Sequence, residues 1–344
     1  MKALTISQLG GLEHLGLRDV PAPVLTNPGD VVVRIKAAAL NRLDLFVVNG
    51  LPGVKYAFPH IMAGDGSGVI EAVGSGVTGW APGDRVMFNP GISCYHCDHC
   101  LAGEHSLCET YRLLGEHVSG TAAELVIIPA NNLGRVPEQM PWDKAAAFSL
   151  ATLTAWRMLV TRAQLKAGET VLIWGIGGGV SIAALQIAKL IGARIIATSS
   201  ADHKLAGAKE LGADIVFNHS TVDVAAEVRK LTSKRGVDVV VDHVGEKTWE
   251  KSLRCLGRMG RLVTCGGTTG PMVTTDVRKL FWYQYSILGS TMGNYHEYQA
   301  IVRLANEGKL WPVVDKVYAM EQGREAFARL EAGEQLGKIV LEVS

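Results

Sequence analysis

The sequence predicts an α/β protein in which a β-rich domain precedes a doubly wound parallel sheet. Three observations carry this expectation. Residues 171–174 form an unbroken apolar run, as in a strand buried on both faces, and Gly175 ends it before apolar residues resume at helical spacing from Val180. Downstream, strand and helix patterns alternate to about residue 290, the texture of a parallel sheet covered on both faces. Upstream, short strand patterns are cut by Pro21, Pro23, Pro28-Gly29, Pro52-Gly53 and Pro82-Gly83-Asp84, as in a β-rich domain with irregular loops.

The 344 residues are 48% hydrophobic and 19% charged, enough for two cores. Lysine and arginine (34) nearly balance aspartate and glutamate (33), so no basic field draws the chain to nucleic acid or to an anionic membrane. Residues 1–6 lack the apolar core of a secretory signal. The apolar stretch 171–188 carries three consecutive glycines, Ser181 and Gln186, which argues against a membrane span. The expectation is a cytoplasmic protein acting on a small molecule, with neither nucleic acid nor membrane as a partner.

In the N-terminal half, strands are predicted at 2–6, 31–38, 68–73 and 85–88. Gly64-Asp65-Gly66-Ser67-Gly68 reads either as a turn entering a strand or as a glycine-rich stretch beside a cleft. Cys94, Cys97, Cys100 and Cys108 follow, spaced Cys-x2-Cys-x2-Cys-x7-Cys. Four thiolates so close in a reducing compartment suit one tetrahedral zinc, whereas adjacent disulfides would be strained and reducible. The site is expected to be structural, because four sulfurs leave no open position. His96, His99 and His105 lie nearby but are not needed, and an iron–sulfur cluster is the alternative that cysteine alone leaves open. Cys255 and Cys265 fall in apolar surroundings and are expected to be buried and inert.

Beyond residue 190, strands are predicted at 194–198, 214–217, 237–241, 262–265 and 286–289, with helices at 202–211, 221–232 and 247–256 between them. Ligands of such sheets bind at the carboxyl ends of the strands, where Ser199, Ser200, Asn218, Val244, Gly266 and Gly267 fall. The glycine turn at Gly175 and Gly177 lacks the third glycine of a dinucleotide fingerprint, which falls on Val180, while Gly178, Gly179 and Ser181 offer a shifted register. Such a turn aims backbone N–H groups and a helix N-terminus at a pyrophosphate. The second strand ends in Thr198, Ser199 and Ser200 with Lys204 beyond, and Asp202 reads as a helix-start acid, so NADP(H) is expected ahead of NAD(H). Helices at 295–306 and 321–330 and a strand at 338–342 close the chain, and Lys338 is a candidate phosphate ligand. The domains are expected at 1–150 with 291–344, including a zinc lobe at 91–110, and at 151–290.

Taken together, the N-terminal glycine pattern, the four-cysteine lobe, the glycine unit at 170–198 and the closing Gly337-Lys338-Ile339-Val340-Leu341 resemble the medium-chain dehydrogenase/reductases, the superfamily of zinc alcohol dehydrogenases and quinone oxidoreductases. The resemblance implies a GroES-like β-rich catalytic domain joined to a Rossmann coenzyme domain, and one structural zinc in the lobe. It also implies Asn41 at the nicotinamide ribose, Thr154 near the nicotinamide and a homodimer or homotetramer. The aromatic run 281–288 is a candidate for a buried inter-subunit sheet edge, or for core. The departures matter more. Where the alcohol dehydrogenases hold a second, catalytic zinc, Asn41 stands for the cysteine of Cys-x-x-Asp, Gly64 for the histidine of Gly-His-Glu, and the third position falls near Leu150.

Oxidising an alcohol calls for a Lewis acid, which a closed four-sulfur site does not supply. Reducing a quinone or an α,β-unsaturated carbonyl needs only donors at the developing oxyanion and a proton source. The expectation is therefore an NADP(H)-preferring oxidoreductase of that kind, with Asn41, Arg42, Asp44, Tyr56, His60 and Asp65 as the candidate catalytic or orienting groups. Two alternatives stand beside it. One is an alcohol dehydrogenase whose metal uses His60, Asp65 and His117, and the other is a nucleotide-binding protein with little turnover.

Overall fold

Strand Asp30–Ala39, ten residues long, is the spine of the first of two units. The computed structural model describes residues 1–343. Its two units are Met1–Leu153 with Gly293–Ser344, and Thr154–Met292.

In the first unit the spine pairs antiparallel with Asp65–Val73, with Leu125–Pro129 and with Lys338–Glu342. Arg85–Phe88 and Leu133–Arg135 extend the sheet on one side, and Val314–Ala319 on the other. Alternation drives the spine: Val31, Val33 and Ile35 pack into a core with Leu4, Ile6, Ile70, Val86 and Phe88. The ladder to Asp65–Val73 slips between Ile35 and Ala37, and Gly68 sits at that slip. A Cβ there would lie 2.1 Å from the Arg34 carbonyl oxygen, so the close approach of the two backbones requires glycine. The glycine-rich stretch 64–68 is thus mostly the start of a buried strand.

Register sets up the site. Ala39 pairs with both Asp65 and Val340, so Asp65 and, two residues before Val340, Lys338 fall at the end of the spine beside Asn41. Asn41 then begins helix Arg42–Asn49 by a capping box with Asp44.

The second unit is a six-stranded, all-parallel sheet in the order Ile215–Asn218, Arg194–Ser199, Thr170–Ile173, Val237–Val241, Leu256–Thr264, Ser286–Gly289. The strand order reverses at Thr170–Ile173, and such a switch point opens a crevice at the carboxyl ends of the strands. The expected α/β architecture is present, with sharper bounds. Leu256–Thr264 starts six residues earlier than its apolar run, because exposed Arg258 and Met259 interrupt the pattern. Helix Trp142–Trp156 was not expected. Its Ala-rich middle is buried all round and leaves no amphipathic period to read.

The run 281–288 is not one edge strand. Its first part ends helix Val277–Tyr283, whose Phe281 and Trp282 are 65% and 67% exposed, and only Ser286–Gly289 forms the edge. No helix among the described residues is long and apolar enough to cross a membrane.

Candidate functional site

In the first unit the structure gathers Asn41, Asp44 and Asp65 with Lys338. Lys338 is 4% exposed, and the side chain of its partner Asp65 is fully buried. Its ammonium donates to Asp65 Oδ2 at 2.9 Å and to Asn41 Oδ1. Asn41 Nδ2 donates to the same Asp65 oxygen at 3.0 Å, while Asp65 Oδ1 accepts from Leu150 N at 2.8 Å. Every charge in this knot therefore has a partner, as burial requires. Lys338 corrects one expectation. Its amine is committed to Asn41 and Asp65 rather than to a coenzyme phosphate, because strand register buries it beside them.

Asp65 likewise has both carboxylate oxygens engaged as acceptors, so it anchors Lys338, Asn41 and Leu150. Asp44 accepts from Asn41 N at 2.6 Å and from Ala63 N at 3.2 Å. Burial pushes its carboxyl up to about 7, although those backbone donors and Lys338 pull the other way. Asp44 thus shapes the chain on both sides of the cluster. Arg42 is exposed and donates to Leu330 O at 3.4 Å, outside the knot.

Tyr56 and His60 form a separate pair, ring edge to face with centroids 5.2 Å apart. His60 Nε2 lies 3.0 Å from Gly115 O, and since a carbonyl only accepts, that nitrogen carries the proton. Burial holds the imidazole below its usual range, opposed by this bond. Burial also raises the Tyr56 phenol, whose oxygen is sealed from solvent. His117 Nδ1 accepts from Leu113 N. Neither histidine joins Asp65 in a ligand set. Among the described residues, Cys94, Cys97, Cys100 and Cys108 are the group of side chains placed to hold a metal ion.

Their sulfurs all lie within 4.8 Å of one another, and Cys94 Sγ is 3.9 Å from Cys100 Sγ. A tetrahedron of Zn–S bonds near 2.3 Å requires about 3.8 Å between sulfurs. The donor set therefore fits one zinc ion. Backbone N–H groups of His96 and Cys97 point at Cys94 Sγ, and that of Cys94 points at Cys108 Sγ, which stabilises thiolate charge. His105 Nδ1 instead faces Tyr295 N at 3.4 Å. Cys255 is fully buried, and burial pushes the thiols of Cys255 and Cys265 up to about 12, which leaves them protonated.

In the second unit a glycine turn follows Thr170–Ile173, and its Gly175 and Ile176 N–H groups donate to the hydroxyl and the carbonyl of Thr198. Gly177 has φ +144°, open only to glycine, and Gly178 precedes helix Gly179–Ile191, whose first turn includes Val180. Ser181 Oγ donates within the turn to the carbonyls of Gly175 and Gly178 and accepts from Gly177 N. At the adjacent strand end, Ser199 is buried and accepts from Ala201 N, so its hydroxyl serves the loop. Asn218 donates to Asp202 Oδ1 at 2.8 Å, fixing that acid at the start of helix Asp202–Glu210. Thr154 is buried and donates to Met292 Sδ at 3.7 Å. Val244 N donates to Asp242 Oδ1, and Gly266 and Gly267 sit in the loop after Leu256–Thr264. His243, between Asp242 and Val244, carries an unpartnered ring nitrogen, and nothing in its sequence context singles it out.

Residues 27–138 match the alcohol dehydrogenase GroES-like domain and residues 179–307 the zinc-binding dehydrogenase family. A crystal structure described as an NAD-dependent alcohol dehydrogenase superposes with a TM-score of 0.96 at 45% identity, covering 100% of both chains. A zinc-type alcohol dehydrogenase-like protein of Schizosaccharomyces pombe is 33% identical over 98% of this chain and 97% of its own. Acryloyl-coenzyme A reductase of Metallosphaera sedula is 30% identical over 99% of each. Quinone oxidoreductases are among the other relatives. The chain belongs to the medium-chain dehydrogenase/reductase superfamily, and it is an oxidoreductase of the alcohol dehydrogenase and quinone oxidoreductase type.

Proposed function

We propose that this protein is a cytoplasmic reductase that passes hydride from NAD(P)H to a quinone or an α,β-unsaturated carbonyl without a catalytic metal, and uses zinc only in its cysteine lobe. One observation carries the reading. The Lys338 ammonium is held by Asn41 and Asp65, and Asn41 is the residue that replaces a metal-binding cysteine in the resemblance to alcohol dehydrogenases. A fixed cation stands among side chains that would otherwise serve a metal, and a second cation beside it would meet Coulomb repulsion in a low-dielectric pocket. The commitments of His60 to Gly115 and of His117 to Leu113 speak against an alternative ligand set. The names of relatives fit either chemistry, since alcohol dehydrogenases, quinone oxidoreductases and an acryloyl-coenzyme A reductase are all among them.

The coenzyme, when bound, supplies the hydride. At an enone the hydride adds to the β-carbon, the π electrons move to the carbonyl oxygen, and a proton from water or a side chain then reaches the α-carbon. Hydrogen-bond donors at the oxyanion lower that barrier. The turn Gly175, Gly177, Gly178, Gly179 and Val180 would hold the pyrophosphate, and Asn41 the nicotinamide ribose. NADP(H) is preferred on this reading through Ser200 and Lys204, with Asp202 committed to Asn218. Ser199, the third residue of that set, accepts from Ala201 N and keeps its own hydrogen to donate. A homo-oligomer would cover Phe281, Trp282 and the exposed edge strand Ser286–Gly289.

The test is turnover of NADPH and NADH against a quinone, an enone, an aldehyde and, in reverse, primary and secondary alcohols. Faster NADPH oxidation with the quinone or enone is expected. Alcohol oxidation as the dominant activity would overturn the reading, and an NADH rate above that of NADPH would overturn the coenzyme preference alone.

A further inference from the structure

Reduction of an enone needs an acid that gives the α-carbon its proton. The carboxyls of the knot are taken: Asp65 accepts through both oxygens, and Asp44 holds Asn41 N and Ala63 N. A third carboxyl stands on a turn packed against the segment that carries Asp65. In that turn, residues 113–118, Gly115 O accepts from His60 Nε2 at 3.0 Å, and just beyond it Gly120 N donates to Ile61 O and Thr121 N to Ala63 O, both at 2.9 Å. Gly115 has φ +74°, and a Cβ on it would fall 2.5 Å from the Ala63 carbonyl oxygen and 3.0 Å from Gly64 N. Only glycine lets the turn approach so closely. Glu116 is the next residue, and its backbone is fixed, because Leu113 O accepts from the N–H groups of Glu116 at 3.2 Å and of His117 at 2.9 Å.

The Glu116 side chain is 16% exposed, so it opens on solvent while most of it is out of water. Among the described residues, no N–H or O–H group donates to its carboxyl. His117 Nδ1 lies 3.7 Å from Oε1, beyond hydrogen-bond reach, and is itself the acceptor of Leu113 N, so it brings no proton to the carboxyl. From the neighbouring elements Glu116 is faced by the Tyr56 phenol, whose ring meets that of His60 edge to face. Burial raises the phenol and lowers the imidazole, so both are neutral at neutral pH and neither offers a cation to a carboxylate. Burial accordingly raises the Glu116 carboxyl above its usual range, with His117 opposing. A carboxylic acid that keeps its proton at an opening to solvent is suited to general acid catalysis.

We infer that Glu116 is the proton donor of the reduction, a catalytic acid for acceptors that take their proton on carbon. The inference rests on the reading of the protein as a metal-free reductase. Hydride adds to the β-carbon of the enone and the π pair moves onto the carbonyl oxygen. The electron pair of that enolate then forms the α-carbon–hydrogen bond, while the O–H bond of Glu116 breaks and leaves a carboxylate. Water, which reaches the exposed part of the side chain, returns the proton. A quinone needs less, since hydride transfer leaves the charge of the hydroquinone anion on oxygen, where water protonates it. Glu116 therefore divides the two classes of acceptor.

Steady-state rates of the zinc-loaded full chain with an enone and with a quinone test this. Glu116→Gln keeps the shape of the side chain and loses the acid. It is expected to lower kcat for the enone by about 100-fold and to leave the KM for the enone and the quinone rate nearly unchanged. Glu116→Asp, still an acid, is expected to keep more enone activity than Glu116→Gln. The wild-type enone rate should fall as the pH rises through the Glu116 carboxyl, because the acid form is the active one, and this limb should vanish in Glu116→Gln. Independently of turnover, the side-chain carboxyl carbon of Glu116 in the wild type without coenzyme, followed by ¹³C NMR, should titrate at a higher pH than exposed glutamates do. A folded Glu116→Gln variant with the wild-type enone kcat, a variant that loses enone and quinone reduction alike, or a Glu116 carboxyl that titrates with the exposed glutamates overturns the inference and leaves the reductase reading standing. Wild-type protein that reduces neither acceptor overturns both.

Discussion

Replacing Lys338 with methionine keeps most of the aliphatic stem and removes the ammonium at the centre of the buried knot. The carboxylate of Asp65, with no exposed side-chain surface, then loses its ion-pair partner at 2.9 Å and keeps the amide of Asn41 at 3.0 Å and the backbone of Leu150 at 2.8 Å. Breaking a buried ion pair from one side costs roughly 3–5 kcal/mol, and the two remaining donors place Lys338→Met at the low end, about 3 kcal/mol. For a unit of about 200 residues, at about 2–4 °C per kcal/mol, the melting temperature falls by roughly 6–12 °C. Adding Asp65→Asn removes the stranded charge, and the double variant should regain most of the lost stability, because replacing both members of a buried pair is often nearly neutral. Thermal melts followed by circular dichroism in the presence of zinc read both changes. A single variant that melts with the wild type, or a double variant no more stable than the single, would refute the view of this knot as a coupled, desolvated unit.

The zinc lobe and Asp44 give two more outcomes. Cys94→Ser removes one of four converging thiolates, so the chain should lose its zinc and melt earlier or assemble differently, while the folded fraction still reduces its acceptor. A stable, folded and inactive variant would contradict a structural role for this ion. For Asp44, burial raises the folded carboxyl to about 7 from 3.8. The folded state therefore holds a proton that the unfolded chain releases, and this group's contribution is fully present below pH 3.8 and is lost as the pH rises through 7. The stability of the wild type relative to Asp44→Asn, from urea midpoints, should decline over that window, and a difference that is constant with pH would contradict the assignment.

Much of the fold was legible because parallel strands buried on both faces announce themselves as apolar runs, as at Thr170–Ile173 and Val237–Val241. The four cysteines were legible as a metal set because sequence-local spacing brings their sulfurs together. Asn41 and Asp65 could each be singled out, but their meeting with Lys338 could not. That contact spans 297 residues and depends on strand register, which includes a slip at Gly68. Lys338 consequently read as a phosphate ligand. Helix Trp142–Trp156 was hidden by uniform burial, and the aromatic run 281–288 misled because exposed Phe281 and Trp282 on a helix look in sequence like a hydrophobic strand. Glu116 gave no signal at all, since one glutamate after a glycine is unremarkable until its turn is seen against Gly64.

Counting zinc while following turnover tests the central claim most directly. The fixed cation at Lys338 predicts one zinc per chain, with quinone or enone reduction that persists when a mild chelator removes any loosely held metal. Two zinc ions per chain, together with alcohol oxidation that the chelator abolishes and zinc restores, would contradict it.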